Sequence, residues 1–332
     1  MRCSTGSRER CARLREDGLI GRLRAVATHP AARGLLDDAA VLAPPLGRDI
    51  VATHDLLAQG VHFIGDEPPA DLAHKLLAVN LSDLAAMGAR PLGVLLGLGL
   101  AGQDSDWVDA FAAGLGEAAA RWSAPLLGGD TVMGLDRLVL GLTALGQVAP
   151  GRALSRAGAR PGDQLWVSGS IGDAGLGLAV AQGRIEAPAG ACASVLARYR
   201  RPEPRLALGA ALAEAGLASA CLDVSDGLLI DAARLAEASG VRAVIELPAV
   251  PLSRAAQALG ADRLAAATAG DDYELLFAAP PSRGAAVAAL GRRLKLRLTI
   301  VGRVEEGSGV RALDAHGRDI TPERLGWLHS QG

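Results

Sequence analysis

The chain has 332 residues, half of them hydrophobic and 21% charged, with a formal net charge of −2 at pH 7. That length supports two domains with cores of their own, and that charge gives no reason to expect a nucleic-acid partner. The longest apolar run, VLLGLGLA at 94–101, is too short to span a membrane, and the arginine-rich N-terminus lacks the apolar stretch and cleavage site of a signal peptide.

Residues 1–16 read as a disordered, solvated tail, residues 17–150 as a first domain and residues 151–332 as a second. DIVATHDLL (49–57) predicts a strand leading into an acidic loop. Between 71 and 88, Leu72, Leu76, Leu77, Leu81 and Leu84 recur at three- and four-residue spacings, which predicts a helix. On it Asp71 and Lys75 stand as an i,i+4 pair, and Asn80 shares a face with Asp83. An Asp buried on so apolar a helix needs a partner, for which a metal is one candidate. A strand at 92–100, a helix at 105–121 and strands at 125–128 and 138–147 follow. The Gly-, Pro- and Arg-rich stretch 149–163 marks the domain boundary. Beyond it come a strand, QLWVSG (164–169), and a glycine-rich turn, GSIGDAGLG (169–177), leading into a helix. Helices near 204–216, 226–238 and 282–294 then alternate with strands near 242–247, 275–279 and 298–304, an α/β or α+β pattern.

Chemistry concentrates in five acidic segments: LLDDAAVL (35–42), VNLSDLAAMG (79–88), GGDT (128–131), DVSDG (223–227) and GDDYELL (270–276). Carboxylates gathered from distant parts of a chain repel one another unless cations sit between them. Hard divalent cations, Mg²⁺ above all, take such oxygen ligands and leave positions for water and substrate phosphates. The only lysines, Lys75 and Lys295, do not follow glycine, so the phosphate-binding G-x-x-x-x-G-K-[ST] loop is absent, as is the protein-kinase motif set. A nucleotide would be handled here by metals, backbone amides and arginine. Taken singly, each segment has a plainer use. Asp37–Asp38 fits a turn, Asp130 and Asp226 fit helix caps, His54 and His62 fit the surface, and Trp327 fits packing. The glycine-rich turn lacks a full G-x-G-x-x-G, and no cysteines are spaced C-x-x-C, which reads as a reduced, cytoplasmic chain with inert thiols.

The combination in this order is more specific. DDAAVL (37–42), THDLLAQGVHF (53–63), KLLAVNLSDLAAMGARP (75–91), LLGGDT (126–131), GRALSRAGARPGD (151–163), LDVSDGL (222–228) and AGDDYELLF (269–277) resemble thiamine-monophosphate kinase, a family within the superfamily of aminoimidazole ribonucleotide synthetase and selenophosphate synthetase. The resemblance spans about residues 17–328. It implies a two-domain aminoimidazole-ribonucleotide-synthetase-like fold, with an N-terminal ATP- and metal-binding sheet that forms a dimeric barrel and a C-terminal α/β domain. It implies transfer of a phosphoryl group from ATP to thiamine monophosphate with several Mg²⁺ ions, in a cytoplasmic homodimer. By motif, the metal ligands are expected at Asp37, Asp55, Asp83, Asp130, Asp223 and Asp226, with Thr53 and His54 contributing through their backbone carbonyls. ATP contacts are expected at Gly129, Asp130, Arg152 and Ser225, and substrate contacts at His62, Asp271 and Trp327. Asp130, Asp223 and Asp226 are the residues expected to carry catalysis.

The chain departs from some members at Leu36, where they have glycine, and at Asp271, where they have the longer Glu. Two rivals stand beside this expectation: a sister ATP-dependent synthetase with another acceptor, and a non-catalytic ATP-binding homologue. The apolar strand 92–100, left at a sheet edge in a monomer, is a second ground for expecting a dimer.

Overall fold

The computed structural model describes residues 16–37, 39–43, 45–185 and 189–328. The expected tail therefore lies outside the described residues except for Glu16, which opens the first helix, and Asp38 lies outside them too. In chain order the first half runs α1 (Glu16–Val26), β1 (Asp49–Ala58), α2 (Pro69–Ala86), β2 (Arg90–Leu100), α3 (Ser105–Trp122), β3 (Leu126–Met133) and β4 (Val139–Val148). Its four strands lie in the order β1-β4-β2-β3, antiparallel but for the β2–β3 pair. The strand expected at 92–100 is β2, and it is interior: β1 and β3 are the edges, so the edge argument attached to 92–100 does not hold.

The second half contributes β5 (Gln164–Ser168), α4 (Asp173–Ala181), α5 (Ala189–Arg200), α6 (Leu206–Ala215), β6 (Ala220–Val224), α7 (Leu228–Ser239), β7 (Arg242–Glu246), α8 (Arg254–Ala258), α9 (Arg263–Thr268), β8 (Glu274–Ala279), α10 (Gly284–Leu294), β9 (Leu298–Glu305) and β10 (Gly309–Leu313). Six strands form one mixed sheet in the order β10-β7-β9-β5-β8-β6. The alternation expected from sequence is present. The helix after the glycine-rich turn begins inside it, at Asp173, while α1, α5, α8, α9, β6 and β10 lie outside the expected elements.

α2 joins the two halves. Its residues are apolar nearly all round and buried from Leu72 to Ala86 with the exception of Asp83, as a helix packed on every side must be. One flank lies against β1 and β4, the other against α6 and β6. Contact with α6 is backbone to backbone: a Cβ on Gly209 would stand 1.9 Å from the Ala85 carbonyl oxygen. The expected Asp71–Lys75 pair does not form. Asp71 faces Arg201, and Lys75 reaches Asp271 across the inter-sheet junction.

Buried charge in the framework is compensated. Glu274, fully buried at the start of β8, accepts bidentate bonds from Arg205 at 2.6 and 2.5 Å, one from Arg198 at 2.7 Å and one from the Ser168 hydroxyl at 2.6 Å. Burial pushes its pKa up, but the two guanidiniums and these bonds outweigh burial and leave it below the ordinary glutamate value. Glu274→Gln should cost about 3 kcal/mol of stability, because it leaves two part-buried arginines without their counter-charge. Urea unfolding at pH 7 checks this. Because the folded pKa is depressed, the wild-type advantage is fully present above the ordinary value of about 4.3 and is lost as pH falls through the lower folded value.

Candidate active site

A cleft of about 1350 Å³ opens between the two sheets, and carboxylates reach it from both. Residues alternate across β1, so Thr53 and Asp55 turn toward α2 while His54 turns away. The Thr53 hydroxyl donates to Asp83 Oδ2 at 2.5 Å, and the Asp55 amide donates to the Asn80 side-chain oxygen at 3.0 Å. Asn80 and Asp83 thus share the face expected of them. From the second domain, β6 carries Asp223 near its end, which is buried and accepts from the Ser82 hydroxyl at 2.7 Å. Asp55, Asp83, Asp223, Ser225 and Asp226 all line the cleft.

These acids crowd one another. Burial, then the charge of Asp83, pushes the Asp55 pKa up to about 6. Burial raises Asp83, and burial followed by Asp83 raises Asp223 well above the usual carboxylate range. Asp226 is compensated in a different way: Arg234 on α7 bonds it at 2.6 Å and Asp231 at 2.7 Å. Asp226 does not cap α7. Asp231 accepts the amides of Asp226 and Gly227 from within the helix, and the Asp226 carboxylate points to the cleft. Among the described residues no three His, Cys, Asp or Glu side chains form a cluster that would hold an ion unaided.

The residues expected on the substrate side meet at the same cleft. The loop before β8 lies on the end of β6, with the Asp271 amide donating to the Ser225 carbonyl at 2.7 Å and the Tyr273 amide to that of Val224 at 2.8 Å. Asp271 and Tyr273 hold φ of 69° and 49°, left-handed values that non-glycine residues seldom adopt. Asp271 lines the cleft together with His62 and Trp327. The Ala58 amide donates to His62 Nδ1 at 3.1 Å. Since an amide only donates, the proton of the neutral ring sits on Nε2. Trp327 is 46% exposed, so it is no core residue, and its amide donates to the Asp226 carbonyl at 2.9 Å.

Other expected residues lie elsewhere. Asp130 is not a helix cap; it sits in the middle of β3, exposed, on the outer face of the first sheet in register with Gly97. His54 shares that face, with Nδ1 2.9 Å from the Thr143 hydroxyl. Gly129 is a packing requirement, since a Cβ there would stand 2.0 Å from the Leu96 carbonyl oxygen. Asp37 is exposed and paired with Arg33, and Arg152 bonds the Glu214 carbonyl at 2.8 Å. None of these five lines the cleft. In the glycine-rich turn the amides of Gly172 and Ala174 are taken by the buried Asp272 at 2.6 and 3.3 Å, and Gly172, Ala174 and Gly175 line the cleft.

Comparison with known proteins decides the family. Residues 36–148 match the model of the AIR synthase related protein N-terminal domain, and residues 160–314 that of its C-terminal domain. Over 308 residues the chain is 44% identical to the thiamine-monophosphate kinase of Caulobacter vibrioides, covering 90% of this chain and 86% of that one. The chain belongs to the thiamine-monophosphate kinase family. A crystal structure of thiamine-monophosphate kinase from Stenotrophomonas maltophilia superposes with a TM-score of 0.82 at 42% identity, over 90% of this chain and 96% of that one. AaThiL complexed with AMPPCP and TMP superposes with a TM-score of 0.76 at 29% identity, over 94% and 97%.

In this family member the cleft also holds residues that sequence reasoning passed over: Arg156, Arg234, Tyr199 and Tyr273. Arg156 lies within the GRALSRAGARPGD segment and lowers the pKa of Asp83 by its charge, as a second arginine signal beside Arg152. Asp83→Asn should lower kcat by about 100-fold or more, while the metal-free protein melts at the same temperature or higher, because one of several crowded charges is gone. Steady-state kinetics and calorimetry check this. A drop in melting temperature beyond about 5 °C would make the Thr53–Asp83 bond a framework contact instead.

Proposed function

We propose that this chain transfers the γ-phosphoryl group of ATP to thiamine monophosphate, giving ADP and thiamine diphosphate, with Mg²⁺ held in the inter-sheet cleft. The observation that carries the reading is the convergence of Asp55, Asp83, Asp223 and Asp226 from both domains on one cleft that also receives His62, Asp271 and Trp327. The relatives named thiamine-monophosphate kinase and the ThiL complex with AMPPCP, an ATP analogue, and TMP support both substrates.

The residues present fit a hard divalent cation. The donor set is all oxygen, three of its carboxylates have pKa values raised by burial, those of Asp55 and Asp223 also by neighbouring acids, and a cation is the chemical means of relieving that. Asp55, Asp83, Asp223 and Asp226 are the residues that would hold it. One or two carboxylates per ion with water and phosphate in the remaining positions is ordinary for Mg²⁺. When bound, Mg²⁺ supplies charge neutralisation for phosphate oxygens.

The chain's own residues do the rest by placement. The acceptor is a phosphate oxygen already anionic at neutral pH, so no general base is required. The obstacle is that two unit charges ~4 Å apart repel by about 1 kcal/mol in water and about 4 at an effective dielectric of 20. Arg156 and Ser225 lie in the cleft as donors for phosphate oxygens. The His62 ring offers Nε2–H as a donor toward the acceptor phosphate or the ring. Trp327, whose ring has the Arg324 guanidinium 5.9 Å from its centroid, would stack its indole on the flat pyrimidine or the cationic thiazolium, a contact worth roughly 0.5–2 kcal/mol. Purified protein should form thiamine diphosphate from ATP and thiamine monophosphate with Mg²⁺ and lose that activity in excess EDTA. Equal product with EDTA would refute the metal, and turnover of a different phosphate acceptor alone would refute the substrate.

Asp37, Asp130, His54, Gly129 and Arg152 are assigned by motif only, and Asp130 and His54 lie on the outer face of the first sheet. That face also exposes Ile50, Leu95 and Val132, and both edge strands have unused pairing groups. These features support a homodimer in which this sheet packs against its copy. Light scattering should give twice the 33.8 kDa chain mass at micromolar concentration, and Val132→Glu should shift it toward the single-chain value. A wild-type monomer would contradict the assembly.

A further inference from the structure

Lys75 is one of two lysines in the chain, and it is 2% exposed on α2. A buried ammonium is costly unless paired. Its three partners lie on three separate elements. Nζ donates to Asp271 Oδ2 at 2.8 Å and to the His62 carbonyl at 3.4 Å, and stands 4.0 Å over the Tyr199 ring. Tyr199 stays a neutral phenol, since burial and then Glu67 push its pKa up. One charge on a rigid helix thus touches both loops assigned above to the substrate.

The pairing also limits what Asp271 does. Its charge is already balanced by Lys75, so it is not the counter-ion of a cationic ring. A carboxylate accepts about four hydrogen bonds. Lys75 takes one, and the Tyr273 hydroxyl takes another at 3.3 Å. The remaining lone pairs face a cleft and suit a neutral donor such as a ring amino group.

We propose that Lys75 is a positioning residue for thiamine monophosphate: it fixes the Asp271 carboxylate so that Asp271 accepts a hydrogen bond from the substrate's aminopyrimidine. This rests on the assignment of Asp271 to the substrate made under the proposed function.

The test is steady-state kinetics of the full chain with Mg²⁺, varying each substrate in turn, for Lys75→Met, Lys75→Arg, Asp271→Asn and Lys75→Met/Asp271→Asn. Lys75→Met should raise KM for thiamine monophosphate about tenfold or more and leave KM for ATP within about twofold. Lys75→Arg should recover part of the loss, and the double variant should match Asp271→Asn, because both changes remove one interaction. Equal rises in both KM values, or no rescue by Arg, would reduce Lys75 to a packing residue. If Asp271→Asn raises KM for thiamine monophosphate and Lys75→Met does not, the Lys75 proposal alone fails. If Asp271→Asn leaves that KM unchanged in a protein that still turns over thiamine monophosphate, the substrate assignment of Asp271 fails and this proposal falls with it, while the kinase reading stands. Should Lys75→Met not fold with Asp271 left unpaired, the double variant, which carries no lone charge, is compared with Asp271→Asn. A KM for thiamine monophosphate several-fold above that of Asp271→Asn overturns the proposal.

Discussion

Carboxylates placed side by side in a poorly solvated cleft raise one another's proton affinity, and a fold keeps such an arrangement only where something else is bound to it. Asp55, Asp83 and Asp223 stand in that relation, each with its pKa raised first by burial and then, for Asp55 and Asp223, by a neighbouring acid. The rest of the architecture serves to hold them there. β1 and α2 fix Asp55 and Asp83 through Asn80 and Thr53, β6 delivers Asp223 to Ser82, and the joint between the halves is packed closely enough that Gly209 tolerates no Cβ.

Glu274 shows the opposite arrangement. Glu274 is as deeply buried as Asp223, yet it has two guanidiniums and a hydroxyl, and its pKa is lowered. Asp271 is likewise matched by Lys75, and Asp226 by Arg234. The chain thus pairs Glu274, Asp226 and Asp271 with cations in direct contact, while Asp55, Asp83 and Asp223 have no such contact in the cleft.

Much of this was legible in the sequence because it lies in strongly periodic or compositionally unusual segments. The leucine spacing of α2 placed Asn80 and Asp83 on one face, and the structure puts both against β1. Ordered acidic motifs carried the family and, with it, the residues that line the cleft. Short elements such as β6 and β10 were not legible, since five residues give little periodicity and are recognised by burial between neighbours. Long-range pairing was also out of reach. Asp71 at i,i−4 is the local partner that spacing offers Lys75, but the chosen partner is 196 positions away and is selected by the docking of two domains. The glycine-rich turn is a further case, because only the fold brings the Asp272 carboxylate to two of its amides. The separation of Asp130 and His54 from the cleft acids follows from strand alternation, which a motif in isolation does not reveal.

Crowded carboxylates in the cleft would bind phosphate only through added cations, the claim at the centre of this account. Its most direct measurement is the melting temperature of the protein with ATP in EDTA, with Mg²⁺ alone, and with both. The account predicts that the two together raise the melting temperature by clearly more than the sum of each alone, since metal and phosphate complete one another's coordination and binding to the native state stabilises it by mass action. Stabilisation by ATP in EDTA equal to that by ATP with Mg²⁺ would contradict it.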